Sequence, residues 1–233
     1  VFSVALSDII GDPLDMIASG PAYPDHSTSR EALAIVQKYG LVIPEEVEKL
    51  LGIDPPATLT NVTTKVTGSV RELCVTAEKT CWELGYKPTV LTASLSCQAR
   101  EAGSFLASIA QYHQNTDQSL AFIAGGETVV KLKGKGKGGR NQELALAAAE
   151  GIATLEQVAV FSVGSDGTDG PTEAAGGYVD NTTKRRLNAQ GISIFEVLEN
   201  NDAYHALQAV DGLIFTGPTG TNVNDLSVLL IKR

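Results

Sequence analysis

Four lysines and an arginine, Lys131, Lys133, Lys135, Lys137 and Arg140, interrupt the glycine run Gly134, Gly136, Gly138, Gly139 and lead straight into a helix-forming stretch. Glycines let backbone N–H groups turn inward, and the free N–H groups opening a helix carry partial positive charge, so this pattern suits a phosphate. The same residues would equally serve as a solvated hairpin end. A second loop, Ser165-Asp166-Gly167-Thr168-Asp169-Gly170-Pro171-Thr172-Glu173, follows a continuous apolar run. Its carboxylates, three residues apart, suit a hard divalent cation, and Mg²⁺ usually takes one or two of them with waters and phosphate oxygens. Asp-Gly pairs also make ordinary turns. A third loop, Thr216 to Asp225, offers hydroxyls, amides and open backbone for a small polar ligand, although glycine, proline and threonine also describe any tight turn. Ser7-Asp8 and Gly11-Asp12 carry the same ambiguity near the start of the chain.

The elements that must position these loops follow from hydrophobic rhythm. Val1 to Leu6 reads as a short buried strand, and a turn-rich stretch from Ser7 to Ser29 precedes a helix that stops at Gly40. A second helix begins near Pro44, and Asp54-Pro55-Pro56 breaks the pattern, which places a domain boundary there. Beyond it, strands are expected at 61–66, 89–93, 120–124, 128–132 and 158–163, with helices at 70–84, 98–112 and 142–154 between them. The last of these helices has very high propensity through its leucines and consecutive alanines. A polar loop from Gly164 to Asp180, weaker helices at 183–190 and 202–210, and strands at 213–215 and 226–231 complete the chain. Such alternation implies an α/β protein with a mixed or largely parallel sheet flanked by helices. In such sheets ligands collect where loops leave the carboxyl ends of strands.

Composition narrows the class. The chain has 233 residues, 43% hydrophobic and 19% charged, which excludes disordered and collagen-like classes. A net charge of −9 argues against a general nucleic-acid surface, so the lysine cluster is a local exception. No run approaches the length of a membrane helix and no charged segment opens the chain like a secretory signal, so a cytoplasmic protein with no membrane partner is expected. Cys74 and Cys81, seven apart on one helix, are too distant for a disulfide and read as small buried hydrophobes in a reducing compartment. His26, His113 and His205 show no metal-ligand spacing. A Gly-x-Gly-x-x-Gly drawn on Gly134, Gly136 and Gly139 lacks its strand-to-helix context, the glycine run does not end in Gly-Lys-Ser or Gly-Lys-Thr, and there is no Gly-x-Ser-x-Gly elbow. The chain opens on Val rather than Met, as a piece of a longer protein would.

Taken together and in order, the loops resemble the glycerate 2-kinase family, whose carboxyl-terminal domain is called the MOFRL domain. Leu6-Ser7-Asp8-Ile9-Ile10-Gly11-Asp12-Pro13 and Ile17-Ala18-Ser19-Gly20-Pro21 look like the end of its amino-terminal domain. Gly125-Gly126-Glu127-Thr128, Gly138-Gly139-Arg140-Asn141-Gln142-Glu143, Asp166-Gly167-Thr168-Asp169-Gly170-Pro171-Thr172 and Thr219-Gly220-Thr221-Asn222-Val223-Asn224-Asp225 look like its carboxyl-terminal signatures. The resemblance implies residues 1–60 as a remnant of a Rossmann-like amino-terminal domain and residues 61–233 as the MOFRL-type domain. Family members are nearly twice as long, so this chain alone is expected to be inactive. The implied activity is transfer of the ATP γ-phosphate to the 2-hydroxyl of D-glycerate, with Mg²⁺; hydroxypyruvate reduction and an inactive binding module are the alternatives. Arg140 would stabilise the transferring phosphoryl group together with Asp166 in the catalytic set. Lys135, Lys137, Gly138, Gly139 and Asn141 would bind phosphate or nucleotide, and Ser19, Gly20, Thr219 and Asn222 would shape the substrate pocket. Asp166, Asp169 and Glu127 are the metal candidates. Apolar surface left open on the first strand invites self-association, so a homodimer is expected.

Overall fold

Local signals start and stop the helices where capping chemistry demands. In the computed structural model, which describes residues 1–233, α1 (Ser29–Tyr39) opens with a reciprocal capping box: Thr28 accepts from the Glu31 amide while the Glu31 carboxylate accepts from the Thr28 amide. It closes on Gly40 in the left-handed conformation. The chain divides into two compact units. The smaller, residues 1–5 and 12–67, carries β1 (Phe2–Leu6), a 3-10 turn at Ile17–Ser19, α1, α2 (Glu45–Leu51) and β2 (Thr63–Gly68), with β1 paired to β2. Neither helix buries a side chain, and Ile17 is the one buried apolar residue of the unit, so its core is thin.

The larger unit, residues 6–11 and 68–233, is built on a six-stranded sheet. Its elements are α3 (Val70–Glu83), β3 (Lys87–Leu95), α4 (Ala99–Tyr112), β4 (Leu120–Gly126), α5 (Arg140–Ile152), β5 (Val158–Gly164), β6 (Gly176–Asp180), α6 (Thr183–Ala189), α7 (Ile194–Glu199), α8 (Ala203–Gln208), β7 (Leu213–Ile214) and β8 (Asp225–Ile231). The strand order is β3-β4-β8-β5-β6-β7. Only β3 and β4 run parallel; β8 returns between β4 and β5 antiparallel to both, and β5–β6 and β6–β7 are antiparallel. The sheet is therefore mixed and mostly antiparallel, not largely parallel.

Side-chain alternation along β8 sends Leu229 and Ile231 to one core and Val228 to the other. α3 covers the Val228 side with Val70, Cys74 and Cys81, while α4 and α5 cover the opposite face. α5 is buried from Asn141 to Ala149, which explains its run of small alanines. Gly103 of α4 lets the two helices touch, since a Cβ there would stand 2.1 Å from the Leu144 carbonyl oxygen. Burying Leu144, Leu146 or Ile152 is worth roughly 2 kcal/mol apiece. No helix is long and apolar enough to cross a membrane.

Three local expectations are corrected. The strand anticipated at 128–132 is an irregular segment with a single bridge, Gln98 to Val129. Residues 176–180, read as the end of a polar loop, form β6; its opening pair Gly176-Gly177 lacks strand propensity, but a Cβ on Gly176 would strike the Ser162 carbonyl of β5 at 1.9 Å. α7, six residues long, carries too short a pattern to register.

Candidate active site

Three strand ends converge. Asp225, the first residue of β8, stands in register between Gly126 at the end of β4 and Gly164 at the end of β5. Arg140, the first residue of α5 after the N-cap Gly139, reaches this point from above the sheet. Its Nε donates to Asp225 Oδ2 at 2.5 Å and its Nη2 to Oδ1 at 3.0 Å, a bidentate fork, while Nη1 lies 3.0 Å from Glu127 Oε1. Hydrogen bonding to Asp225 raises the guanidinium pKa against the opposing effect of burial, so Arg140 is held cationic. A guanidinium has five N–H donors, and these contacts use three. Two remain for an incoming anion.

Glu127 is itself held. Asn224 Nδ2 donates to Glu127 Oε2 at 3.2 Å and to the Asp8 carbonyl at 2.9 Å. Asn224 is buried, adopts a φ of 67°, and its Oδ1 has no hydrogen-bond partner. Asparagine tolerates this left-handed conformation, and a buried acceptor with no protein partner is open to water or a ligand.

The glycine run behaves as a clamped strap. Asn201 Oδ1 accepts from the Lys133 and Gly134 amides, Asn200 Oδ1 from Lys135, and Asp202 Oδ1 from Lys137. The Gly136 amide donates to the Asn200 carbonyl at 2.8 Å. Glycine is required at 134 and 136 because a Cβ would fall 2.3 and 2.6 Å from that same carbonyl oxygen. The amides of residues 133–137 are therefore already occupied, whereas those of Gly138 and Gly139 make no hydrogen bond within the protein. Of its lysines, Lys133 pairs with Glu199 at 3.0 Å, and Lys137 lies 3.5 Å from Glu173 and 4.0 Å over the Tyr204 ring. Lys135 has no carboxylate partner and is the strap's available cation.

The start of α5 is likewise occupied. Asp169 accepts from the Asn141 amide through Oδ1 at 3.1 Å and from the Gln142 amide through Oδ2 at 2.8 Å. Burial pushes its pKa up to about 6 despite those bonds, and Asp225 adds to the rise. Asp169, expected as a metal ligand, is instead the cap of α5, supplied from another loop. Asn141, expected at the nucleotide, is buried with its side chain bonded to Asp169 and Ser162. No three acidic, histidine or cysteine side chains cluster as a metal site. Glu127 is taken by Arg140 and Asn224, so Asp166 is the remaining candidate. It holds the Thr168 amide and hydroxyl, and its Oδ1 lies 3.0 Å from where a Cβ on Gly164 would stand, with Asp225 Oδ1 3.6 Å from the same point. As a half-buried carboxylate it has the chemistry to hold a cation through one oxygen and the cation's own waters.

Thr219 fastens the third loop to the second: its amide donates to the Asp166 carbonyl at 3.1 Å and its hydroxyl to the Ser165 carbonyl at 2.6 Å. Asn222 is exposed and its Oδ1 accepts from the Asn224 amide. Ser19 and Gly20 belong to the smaller unit, both with positive φ. Asp225, Asn224 and the Asn200-Asn201-Asp202 triplet received no individual role from the sequence. The signals for them were glycines at two strand ends and a run of three consecutive short polar side chains between helices.

Beside Arg140 opens a cavity of about 730 Å³. Its walls come from residues 127–130, Leu132, the strap glycines, and Gly170-Pro171, with Arg140 and Glu143 among the lining side chains. Glu143 is buried and paired with Arg100 at 3.4 Å and with Asn201 Nδ2 at 3.2 Å.

The MOFRL family model matches residues 120–225 and a domain of unknown function, DUF4147, matches residues 1–52. A D-glycerate 2-kinase of Thermotoga maritima is 49% identical over 99% of this chain and 56% of its own length. A crystal structure of glycerate kinase from the same organism superposes with a TM-score of 0.93, covering 99% of this chain and 57% of that one. A glycerate kinase of Macaca fascicularis is 32% identical, covering all of this chain and 72% of the relative. The chain spans about half the length of the Thermotoga relative it matches.

Proposed function

Because this chain belongs to the glycerate 2-kinase family, we propose that it works in ATP-dependent transfer of a phosphoryl group to the 2-hydroxyl of D-glycerate, in the cytoplasm. The observation that carries the reading is Arg140, fixed by a buried carboxylate fork at the start of α5 with two donors unspent, beside a cavity of ligand size. Phosphoryl transfer demands alignment and charge stabilisation more than covalent chemistry. As charge spreads over the equatorial oxygens of the transferring group, the free Arg140 donors meet it without reorganising, because Asp225 and Glu127 already set the guanidinium plane. Lys135 adds a mobile cation from the strap. Mg²⁺ would be held by Asp166 and would neutralise charge on the donor polyphosphate. Thr219 keeps its loop against Ser165 and Asp166, and Asn222 braces the same loop through the Asn224 amide, so both would shape the acceptor side.

The test is a coupled assay of the natural enzyme for ATP- and Mg²⁺-dependent phosphorylation of D-glycerate, with the product position fixed by NMR. Formation of 2-phosphoglycerate supports the reading. Absence of product, or oxidation of NADH with hydroxypyruvate in its place, refutes it.

A further inference from the structure

The cavity beside Arg140 is larger than the proposed acceptor needs. A three-carbon acid would fill only a small part of 730 Å³, a volume inside the range of pockets that enclose drug-sized ligands. Its chemistry is also graded. Arg140 and Glu127 stand among its lining groups, whereas Val130, Leu132 and Pro171 supply apolar surface and the strap contributes flat glycine peptide planes. A carboxylate with two hydroxyls has no use for that apolar wall. A heteroaromatic base does, since burial of its faces against aliphatic groups is favourable.

On the premise that Arg140 receives the transferring phosphoryl group, we propose that this cavity is the nucleoside pocket of the phosphoryl donor: the base of ATP lies against Val130, Leu132 and Pro171, and the polyphosphate runs along the strap toward Arg140. Three features fit this direction. The strap is rigidly tied by Asn200, Asn201 and Asp202, so it offers a preformed wall. Lys135, its unpaired lysine, sits between two glycines that line the cavity. Leu132 is 80% exposed, an apolar side chain left uncovered at the cavity until a ligand packs on it.

Two variants of the natural enzyme and one label test this. Val130→Trp fills the cavity, and Leu132→Asp, at an exposed position where folding is not at stake, puts charge on the apolar wall. Both are expected to raise KM for ATP about tenfold, the scale of disturbing one apolar contact surface in a ligand pocket, with KM for D-glycerate within about twofold of wild type. Photolabelling with 8-azido-ATP, followed by peptide mapping, is expected to mark residues 128–132 or Pro171. A rise in KM for D-glycerate instead, an unchanged KM for ATP in Leu132→Asp, or label confined to other peptides overturns the assignment. The labelling needs no turnover, so it judges the pocket even if D-glycerate proves not to be the acceptor.

Discussion

Two carboxylates hold Arg140, and their unequal burial makes a quantitative prediction. Asp225 is 4% exposed and engages the guanidinium twice; the Glu127 side chain is 44% exposed and engages it once. Breaking a fully buried ion pair by removing one partner costs about 3–5 kcal/mol, while an exposed pair is worth about 0–1 kcal/mol. With the Arg140 side chain 35% exposed, the Asp225 pair falls between these limits, so Asp225→Asn should cost about 2 kcal/mol. At roughly 2–4 °C per kcal/mol for a unit of this size, Tm should drop by about 4–8 °C. Glu127→Gln should lower Tm by no more than about 4 °C, because the amide still accepts from Asn224 and the lost Coulomb attraction is screened. Turnover should separate further: with its fork undone, Arg140 keeps its charge but loses its plane, and kcat should fall about 10²–10³-fold in Asp225→Asn, the cost of one misaligned transition-state donor. Differential scanning calorimetry and the phosphorylation assay on the same preparations measure both. Equal Tm shifts for the two variants would refute the burial argument, and wild-type turnover in a destabilised Asp225→Asn would remove Arg140 from the chemistry.

Other expectations follow from the same contacts. Asn201→Ala removes the acceptor shared by the Lys133 and Gly134 amides and forces alanine into a φ of 55°, so trypsin should cut within Lys133–Arg140 where the wild type resists; Asn201→Gly, relieved of the strain, should be about 1 kcal/mol more stable than Asn201→Ala in chemical denaturation. Equal stability of the two would show that strain at this residue is relieved elsewhere. Asp169, whose folded pKa stands at about 6 against an ordinary 3.8, contributes stability fully present below 3.8 and lost as pH rises through 6. The unfolding free energy of wild type relative to Asp169→Asn should accordingly increase by about 2 kcal/mol between pH 7 and pH 4, and a difference flat in pH would contradict the buried charge. Cys97 is exposed, whereas Cys74 and Cys81 are buried with their thiols pushed up by burial, so one equivalent of thiol should react rapidly with a disulfide reagent in the native protein and three after denaturation. Three fast equivalents at the outset would mean that α3 does not pack as described.

What the sequence disclosed and what it withheld divide along the range of the interactions. The alternation of strands and helices was legible because periodicity is local: α5 follows from its own leucines and alanines, and the end of α1 from Gly40. Arg140 stood out by type and spacing alone. Strand order did not, because nothing near β8 says that it returns between β4 and β5. That one return determines the site. It brings Asp225 to Arg140 across 85 residues and to the ends of two strands at once.

Asp169 shows the converse error. Its Asp-Gly neighbourhood is compatible with a cation, but the first turn of a buried helix must find acceptors for its N–H groups, and Asn141 and Gln142 find them in Asp169. A loop carboxylate near a glycine-led helix thus has two uses, capping or catalysis, and burial separates them. Asp169, enclosed and doubly bonded to amides, rigidifies the platform from which Arg140 projects. Asp166, three residues earlier, is only half-buried and holds the Thr168 amide and hydroxyl within its own loop. The division of labour between two carboxylates of one loop is a consequence of where α5 docks: it draws Asp169 out of the loop and under the first turn of the helix that carries Arg140.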